Sequence, residues 1–309
     1  MKNINLLDKR FIVVTGKGGV GKSAVSAALA IAISSRGRRV LLASMHRGIK
    51  TCGFFGAGAQ PGELFPVKEN LWAVNVTPQS SMREYGLMIL RFERLYRRVF
   101  EDKLIKYVLE AIPSLEELVM FGKTWFHAQE KWKDGSWRFD TVIMDSQATG
   151  HAMSMLSLPG TIVKAAPLGQ LKSKAEEMLS LMTDPEAASL CIVTTPEEMP
   201  INESLSIWKT NNEIIKMPEG MLFINRVIEP LFKDEELRDG SFHASPLIET
   251  ALKCARLRIS ASSNQAIYLA RAENEIPMKS VILPEIFSEQ FGEKEAGKIA
   301  GTILQHCKE

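Results

Sequence analysis

The sequence predicts an α/β fold, a mainly parallel sheet with helices on both faces. Short β-branched or aliphatic runs alternate along the chain with helical patterns. Most of these runs are continuously apolar, which is typical of strands buried on both faces of a parallel sheet. The predicted strands are Arg10–Thr15, Arg39–Ser44, Leu71–Thr77, Phe139–Asp145, Leu190–Thr195 and Met221–Asn225.

The opening of the chain predicts a strand, a glycine loop, a helix and a second strand. Ser23–Gly37, SAVSAALAIAISSRG, lies between the first two predicted strands and is rich in strong helix formers. Its last residue, Gly37, stands where a glycine commonly ends a helix. This order of elements is a βαβ unit.

The chain is predicted to be one domain, residues 1–309, because no internal repeat or low-complexity linker divides it. Within it, residues 80–137 are predicted to be a helical insertion, broken near Pro113 and packed on one side of the sheet. Apolar residues recur there at roughly helical spacing, at Leu87, Leu90, Leu95, Val99, Leu104 and Val108. Two roles stay open for it: helices that cover the sheet or one another, or a lid or client groove. Gln170–Thr183 is predicted to be a second, shorter helix.

Composition excludes several classes of protein. The net charge of +2 gives no general attraction to nucleic acid or to an anionic membrane. Neither a signal peptide nor an apolar run near the roughly 20 residues of a membrane span is found, so no membrane insertion is expected. The four cysteines form no C-x-x-C pair, which argues against a zinc site or a disulfide framework. These features predict a reduced, cytoplasmic protein.

The stretch GKGGVGKS, Gly16–Ser23, satisfies the pattern G-x-x-x-x-G-K-[ST] after a predicted strand and before a predicted helix. Its glycines allow backbone N–H groups to turn inward around a phosphate. Lys22 is expected to reach the β- and γ-phosphates, and the Ser23 hydroxyl to bind Mg²⁺. The predicted nucleotide-binding residues of this P-loop are Gly16, Lys17, Gly18, Gly19, Val20, Gly21, Lys22, Ser23 and Ala24.

The loop contains a second lysine, Lys17, which indicates a narrower class of P-loop proteins. GKGGVGKS resembles the deviant Walker A loop of the P-loop ATPases that include the nitrogenase iron protein, the septum-positioning ATPases and the arsenite-pump ATPases. In that class the early lysine, here Lys17, crosses a dimer interface to the partner's phosphates. An added cation there neutralises charge on the leaving phosphate. The resemblance implies a dimer; the open alternative is that Lys17 is a solvent-exposed loop lysine.

Later segments indicate the branch of this class. FDTVIMDSQATGHAMSMLSLPG, Phe139–Gly160, closely resembles a segment of the arsenite-pump and tail-anchored-protein-targeting ATPase family. The resemblance implies Mg·ATP as cofactor and ATPase activity, with Asp145 holding Mg²⁺ through water and SQATGH as the second switch loop. Val193–Ser204 and Phe223–Val227 resemble further family motifs, and the latter assigns Asn225 to the adenine.

The first switch departs from the family. In VLLASMHRGIKT, Val40–Thr51, His46 replaces the aspartate that orients the attacking water, and Met45 replaces a threonine. A neutral histidine can still accept a hydrogen bond from water. The expected catalytic residues are therefore Lys17, Lys22, His46 and Asp145.

Two functions follow from this departure and stay open. One is a dimeric ATPase whose nucleotide-driven switches act on a protein client or effector, with weakened hydrolysis. The other is a pseudo-ATPase, the regulatory subunit of a heterodimer with an intact paralogue. A membrane-binding division-type ATPase is a weaker third reading, because the C-terminal helix lacks a cationic, aromatic-rich face. Neither arsenite nor a transmembrane client follows from the sequence.

Overall fold

A computed structural model describes residues 6–45, 55, 60–90, 115–232 and 246–307 of the chain. These residues form an eight-stranded sheet with the order β3-β4-β2-β5-β1-β6-β7-β8. All neighbouring strands pair in parallel except β3 and β4, which are antiparallel at one edge. The strands are β1 Phe11–Gly16, β2 Val40–Ser44, β3 Phe65–Lys68, β4 Leu71–Asn75, β5 Thr141–Asp145, β6 Ala188–Thr194, β7 Glu219–Val227 and β8 Lys279–Pro284.

The six predicted strands are confirmed, with ends shifted by one or a few residues, whereas the two edge strands were missed. Every residue of β1, β2, β5 and β6 is buried, which is why their continuous apolar runs identified them. In β3, by contrast, half-buried and exposed residues alternate, and β8 also mixes buried and exposed positions. An edge strand has one side open to solvent, so its sequence does not read as a continuous apolar run.

Helices cover both faces of the sheet, as predicted. Strand β1 shows the division: Phe11 and Val13 belong to one apolar cluster, and Ile12 and Val14 to the other. The helices among the described residues are α1 Lys22–Ser34, α2 Pro78–Leu90, α3 Leu115–Gln129, α4 Thr149–Ala165, α5 Gln170–Thr183, α6 Glu198–Thr210, α7 Pro246–Glu275 and α8 Glu293–His306. A short π-helix, Asn211–Ile215, continues α6.

Helix α1 is buried on nearly all sides between the sheet and α8. Its sequence, KSAVSAALAIAIS, is mostly alanine and aliphatic residues, and Ser23 is the one residue that is not buried. A helix that is apolar all round belongs in a protein interior, and its small side chains permit close approach of neighbouring elements. The predicted helix Ser23–Gly37 is thus confirmed, although it begins at Lys22 and ends at Ser34.

The predicted helical insertion at 80–137 is described only in part. Helix α3 buries Met120, Phe121 and Trp125 against the face of the sheet opposite α1. The Lys123 ammonium donates to Glu84 Oε1 of α2 at 2.6 Å and to the Gly62 carbonyl at 3.0 Å. Residues 130–137 are not helical, because a bridge between Lys131 and Trp137 closes a turn there. The expected break near Pro113 lies outside the described residues, as do the apolar positions from Leu95 to Val108.

Among the residues that the structure describes, no helix has both the length and the apolar character needed to cross a membrane. The division of the chain into a single domain stays a prediction.

Candidate nucleotide-binding site

The P-loop joins the carboxyl end of β1 to the start of α1, and two of its glycines are required by the backbone. Gly16 has φ +148°, and a Cβ there would lie 2.1 Å from the Val193 carbonyl oxygen of β6. Gly21 has φ +96° and would place a Cβ 2.2 Å from Asn225 Nδ2. Residues other than glycine rarely adopt these φ values, and at both positions a Cβ would collide with the neighbouring strand. The loop is therefore pressed against β6 and β7.

Asn225 supports the loop from β7. It is almost completely buried, and its Nδ2 donates a hydrogen bond of 2.9 Å to the carbonyl oxygen of Val20. This contact was not expected, since the sequence assigned Asn225 only to a nucleotide base. Asn225 also lines the same cavity as the loop. Asn225 thus both holds the loop and borders the space beside it.

Lys22 is a buried cation enclosed by the loop. Its Nζ donates to the carbonyl oxygens of Gly16 at 3.0 Å and Lys17 at 2.9 Å. Burial lowers the pKa of the Lys22 ammonium, while the negative charges of Asp145 and Glu203 act in the opposite direction. The loop therefore holds a poorly hydrated positive charge.

Asp145 is fully buried at the carboxyl end of β5, in register with Val14 of β1 and Ser44 of β2. The Ser26 hydroxyl, one turn into α1, donates to Asp145 Oδ1 at 3.4 Å. Ser23 stands in the first turn of the same helix and lines the cavity. A serine hydroxyl and a carboxylate at one sheet edge are the oxygen ligands that suit Mg²⁺ when phosphates and water complete its shell.

A metal cage made by the protein alone was not expected from the sequence. In the described ranges, no three or more His, Cys, Asp or Glu side chains are grouped so that they could hold a metal ion. Cys191, Cys254 and Cys307 are unbonded thiols, and burial raises the pKa of the Cys191 thiol to about 12. Cys52 lies outside the described residues.

Lys17 does not extend freely into solvent. Its Nζ lies 3.7 Å from Glu203 Oε1 of α6, and both side chains are about one-third exposed. The other carboxylate oxygen, Oε2, accepts a hydrogen bond of 2.8 Å from the Thr149 hydroxyl at the start of α4. Glu203 belongs to the segment Val193–Ser204 that resembles a family motif, and no role was predicted for it.

The second predicted switch, SQATGH, begins beside the P-loop. Ser146 N–H donates to the Val14 carbonyl at 3.1 Å, which aligns the segment with the end of β1. A Cβ on Gly18 would lie 3.9 Å from Ala148 Cβ, an ordinary contact distance. The loop and this segment are therefore adjacent.

The first predicted switch is described only up to Met45. The Met45 side chain is buried in the core, and its N–H donates to the Asp145 carbonyl at 3.0 Å. The residue that replaces the family threonine thus places a thioether in the core. His46 lies outside the described residues.

A cavity of about 510 Å³ extends from the P-loop to the far edge of the sheet. Loop and α1 residues form one end, and residues of β8, of the segment after it and of α8 form the other. Its lining residues are Gly19, Gly21, Lys22, Ser23, Ala24, Asn225, Arg226, Pro284, Glu285, Ile286, Phe291 and Ile299. Ligand sites commonly combine a polar end with an apolar wall in this way. The sequence did not reveal the apolar wall, because its residues follow an edge strand that was missed.

Arg226 borders this cavity in an unusual backbone conformation. Its φ is +59°, in the left-handed region that arginine seldom adopts. Gln265 of α7 fixes the segment by donating from Nε2 to the Arg226 carbonyl at 3.1 Å and accepting from Ile228 N–H at 2.8 Å. Such strain often occurs at functional sites, where the surrounding structure maintains it.

Comparison with known proteins agrees with this geometry. The sequence profile of the family described as Anion-transporting ATPase matches residues 9–166. A putative arsenical pump-driving ATPase of Prosthecochloris vibrioformis is 30% identical over 197 residues, which cover 58% of this chain and 46% of the relative. The ATPase get3 of Schizosaccharomyces japonicus is 31% identical over 184 residues, covering 58% of this chain and 54% of the relative.

A longer and more distant match is the ATPase BagA of Mycobacterium tuberculosis, 23% identical over 235 residues, covering 74% of this chain and 68% of that protein. The chain spans about half the length of the first two relatives.

Proposed function

The chain belongs to the anion-transporting ATPase family, and on that premise we propose that its P-loop binds Mg·ATP and that the protein hydrolyses ATP to ADP and phosphate. The observation that carries the proposal is the Lys22 ammonium, buried and held by the Gly16 and Lys17 carbonyls inside the loop. A buried cation in a glycine-rich loop at the start of a helix is suited to an anion of several charges, such as a polyphosphate.

Each part of the site then has a role. Loop residues Gly16–Ala24 surround the phosphates, and Lys22 faces the β- and γ-phosphates. Ser23, and Asp145 through a water molecule, would hold Mg²⁺, which would supply positive charge against the phosphate oxygens. The base occupies the other end of the cavity, against Ile286 and Phe291. The Asn225 amide, which borders the cavity beside the loop, accepts through its oxygen from the exocyclic amino group of adenine.

In the proposed reaction a water molecule attacks the γ-phosphorus, and the bond from that phosphorus to the bridging oxygen breaks. ADP leaves with the electron pair, and phosphate and a proton are released. Lys22 and Lys17 stabilise the developing charge on the phosphate oxygens. His46, which replaces the family aspartate, accepts a hydrogen bond from the water in its neutral form.

We further propose that the chain works as a dimer, with a second copy or with a paralogous ATPase, and that Lys17 acts on the nucleotide of the partner. The nucleotide-driven switches then change a surface that binds a protein client or effector. This rests on the loop sequence and on the contact of the loop with the segment at Ala148.

The pseudo-ATPase remains a second candidate, and one structural observation favours it. Met45 is fully buried in the core, so the position before His46 offers an apolar side chain in place of a hydroxyl. Loss of the hydroxyl and of the aspartate together is expected to weaken hydrolysis without affecting the phosphate loop.

Calorimetric titration with Mg·ATP tests the binding site. We expect Lys22→Ala to weaken binding at least tenfold, since a hydrogen bond to a charged group contributes about 1.5–3 kcal/mol. Lys133→Ala, which removes an exposed lysine on the turn after α3, is the matched control and should bind like the wild type. Equal affinities of the wild type and Lys22→Ala would contradict the assignment of the site.

A further inference from the structure

The carboxylate of Glu203 lies between the P-loop and the start of α4. One oxygen faces the Lys17 ammonium at 3.7 Å, and the other accepts from the Thr149 hydroxyl at 2.8 Å. Glu203 therefore connects the loop to Thr149, which lies within the second predicted switch and begins α4. Its position on α6 is set by neighbours such as Ser204 and Ile207, which are buried.

The stability of the fold does not explain this arrangement. A partly exposed ion pair contributes about 0–1 kcal/mol, because solvent screens the charges and the side chains lose freedom. Moreover, the negative charge of Glu203 is close enough to act on the Lys22 ammonium inside the loop. A carboxylate at the mouth of a polyphosphate site repels the anion that the site binds. Its presence there calls for a reason other than stability.

We infer that Glu203 is a positioning residue for Lys17: it holds the Lys17 ammonium in its own subunit until a nucleotide phosphate replaces the carboxylate as the lysine's partner. The inference rests on the proposed function, because it takes the phosphates of Mg·ATP as the competing anion. A phosphate chain carries more negative charge than one carboxylate, so the exchange favours the nucleotide.

The contact with Thr149 gives the exchange a consequence at the switch. When Lys17 leaves, Glu203 keeps its hydrogen bond to the first residue of α4, and the charge that balanced the carboxylate is gone. Loss of the ion pair thus changes the electrostatic surroundings of the helix that follows SQA. In the nucleotide-free chain, the same pair keeps Lys17 from contacting other anions.

A double-mutant cycle measures the exchange, with the dissociation constant of Mg·ATP as readout. Glu203→Gln removes the charge but keeps an oxygen that can accept from Thr149. We expect it to tighten binding about two- to fivefold, the range for release of an exposed ion pair. In a Lys17→Ala background, the same substitution should tighten binding by a smaller factor, because only the direct repulsion between the carboxylate and phosphate is then removed.

The double-mutant cycle distinguishes two roles of the Glu203 carboxylate: it either holds Lys17 through the ion pair or only repels phosphate. If Glu203→Gln tightens binding equally with and without Lys17, the carboxylate only repels phosphate and the inference is wrong. No change, or weaker binding, on Glu203→Gln in the wild-type background also overturns it. Glu213→Gln, an exposed glutamate on the π-helix, is the control for loss of one negative charge. Unfolding midpoints of all variants verify that the fold is retained.

A second measurement needs no nucleotide. Acylation of lysine amines by a small reagent, followed by peptide mass spectrometry, reports the rate at which Lys17 reacts. We expect Glu203→Gln to raise the Lys17 rate at least about twofold relative to Lys133 in the same sample, because an ion pair withholds the amine. An unchanged Lys17 rate would contradict the ion pair. If the chain bound no Mg·ATP, the proposed function would fail while this measurement still decided the contact.

Discussion

At the scale of the residue, Lys22 shows how burial prepares a side chain for its ligand. The lysine is removed from bulk water, and the loop carbonyls replace only part of its hydration. Burial accordingly lowers the pKa of the ammonium, against the influence of Asp145 and Glu203. Without a bound anion, the protonated form of Lys22 is thus less stable than that of an exposed lysine. A bound phosphate would stabilise this positive charge.

This yields a prediction for the pH dependence of binding. As pH rises above neutrality, Lys22 should lose its proton at a lower pH than an exposed lysine, and a neutral amine does not attract phosphate. We expect the affinity for Mg·ATP to begin falling at a lower pH than the deprotonation of an exposed lysine would cause. Dissociation constants measured from neutral to alkaline pH decide the point. Lys22→Gln, which has no such proton, should bind weakly at every pH, and a flat wild-type profile would refute the prediction.

At the scale of the element, the close approach of β1 and β6 decides which residue can end β1. Gly16 pairs with Val193 in the parallel register of the two strands. The chain turns there with φ +148°, and the Val193 carbonyl fills the space that a side chain would need. The loop can begin at the sheet edge because no Cβ separates the two backbones.

Gly16→Ala should therefore destabilise the protein. The added Cβ requires a shift of β6 or of the loop, and the φ angle is strained for alanine, so we expect a loss of about 1–3 kcal/mol in the free energy of unfolding. Gly297→Ala in α8 is the matched control, because nothing lies within 4 Å of its Cβ position. That variant should gain about 0.5–1 kcal/mol as a helix interior position. Urea unfolding compares the two, and a neutral Gly16→Ala would show that the contact is easily relaxed.

At the scale of the whole molecule, the strand order brings the site together. Strand β1 lies between β5 and β6: strands β2 to β5 lie on one side of it, and β6 to β8 lie on the other. In open α/β sheets, ligands bind at the carboxyl ends of the strands at such a switch point. Asp145 of β5 and Asn225 of β7 reach the P-loop from the two sides for this reason.

The surplus lysine and the altered switch predict a division of labour between subunits. We expect slow or undetectable phosphate release by the isolated chain, and a gain in the His46→Asp variant. In a dimer with a related chain that retains Asp-Pro-Ala in the first switch, hydrolysis should depend on Lys17 of this chain. Loss of a cation supplied across an interface costs about 10³-fold or more in comparable phosphoryl transfers. Brisk turnover by the isolated wild type, or an unchanged dimer rate in Lys17→Ala, would disprove this.

The sequence by itself determined the features whose residues are neighbours along the chain. The P-loop is one contiguous segment, and its glycines, Lys22 and Ser23 could be assigned because their spacing and their place between a strand and a helix suffice. The central strands could be assigned because burial on both faces demands continuous apolar residues. The edge strands β3 and β8 could not, since their composition is that of a half-exposed segment.

Only the tertiary structure decided which distant side chains meet. Glu203 reaches Lys17, Asn225 supports Val20, and Phe291 and Ile299 close the cavity, although each lies far along the chain from the loop. None of these contacts could be predicted from the neighbouring sequence. A single acidic, amide or apolar residue has the same local sequence pattern whether or not it makes a distant contact. The order and register of the strands bring them to one edge of the sheet, and that order is set by the packing of the whole core rather than by neighbouring residues.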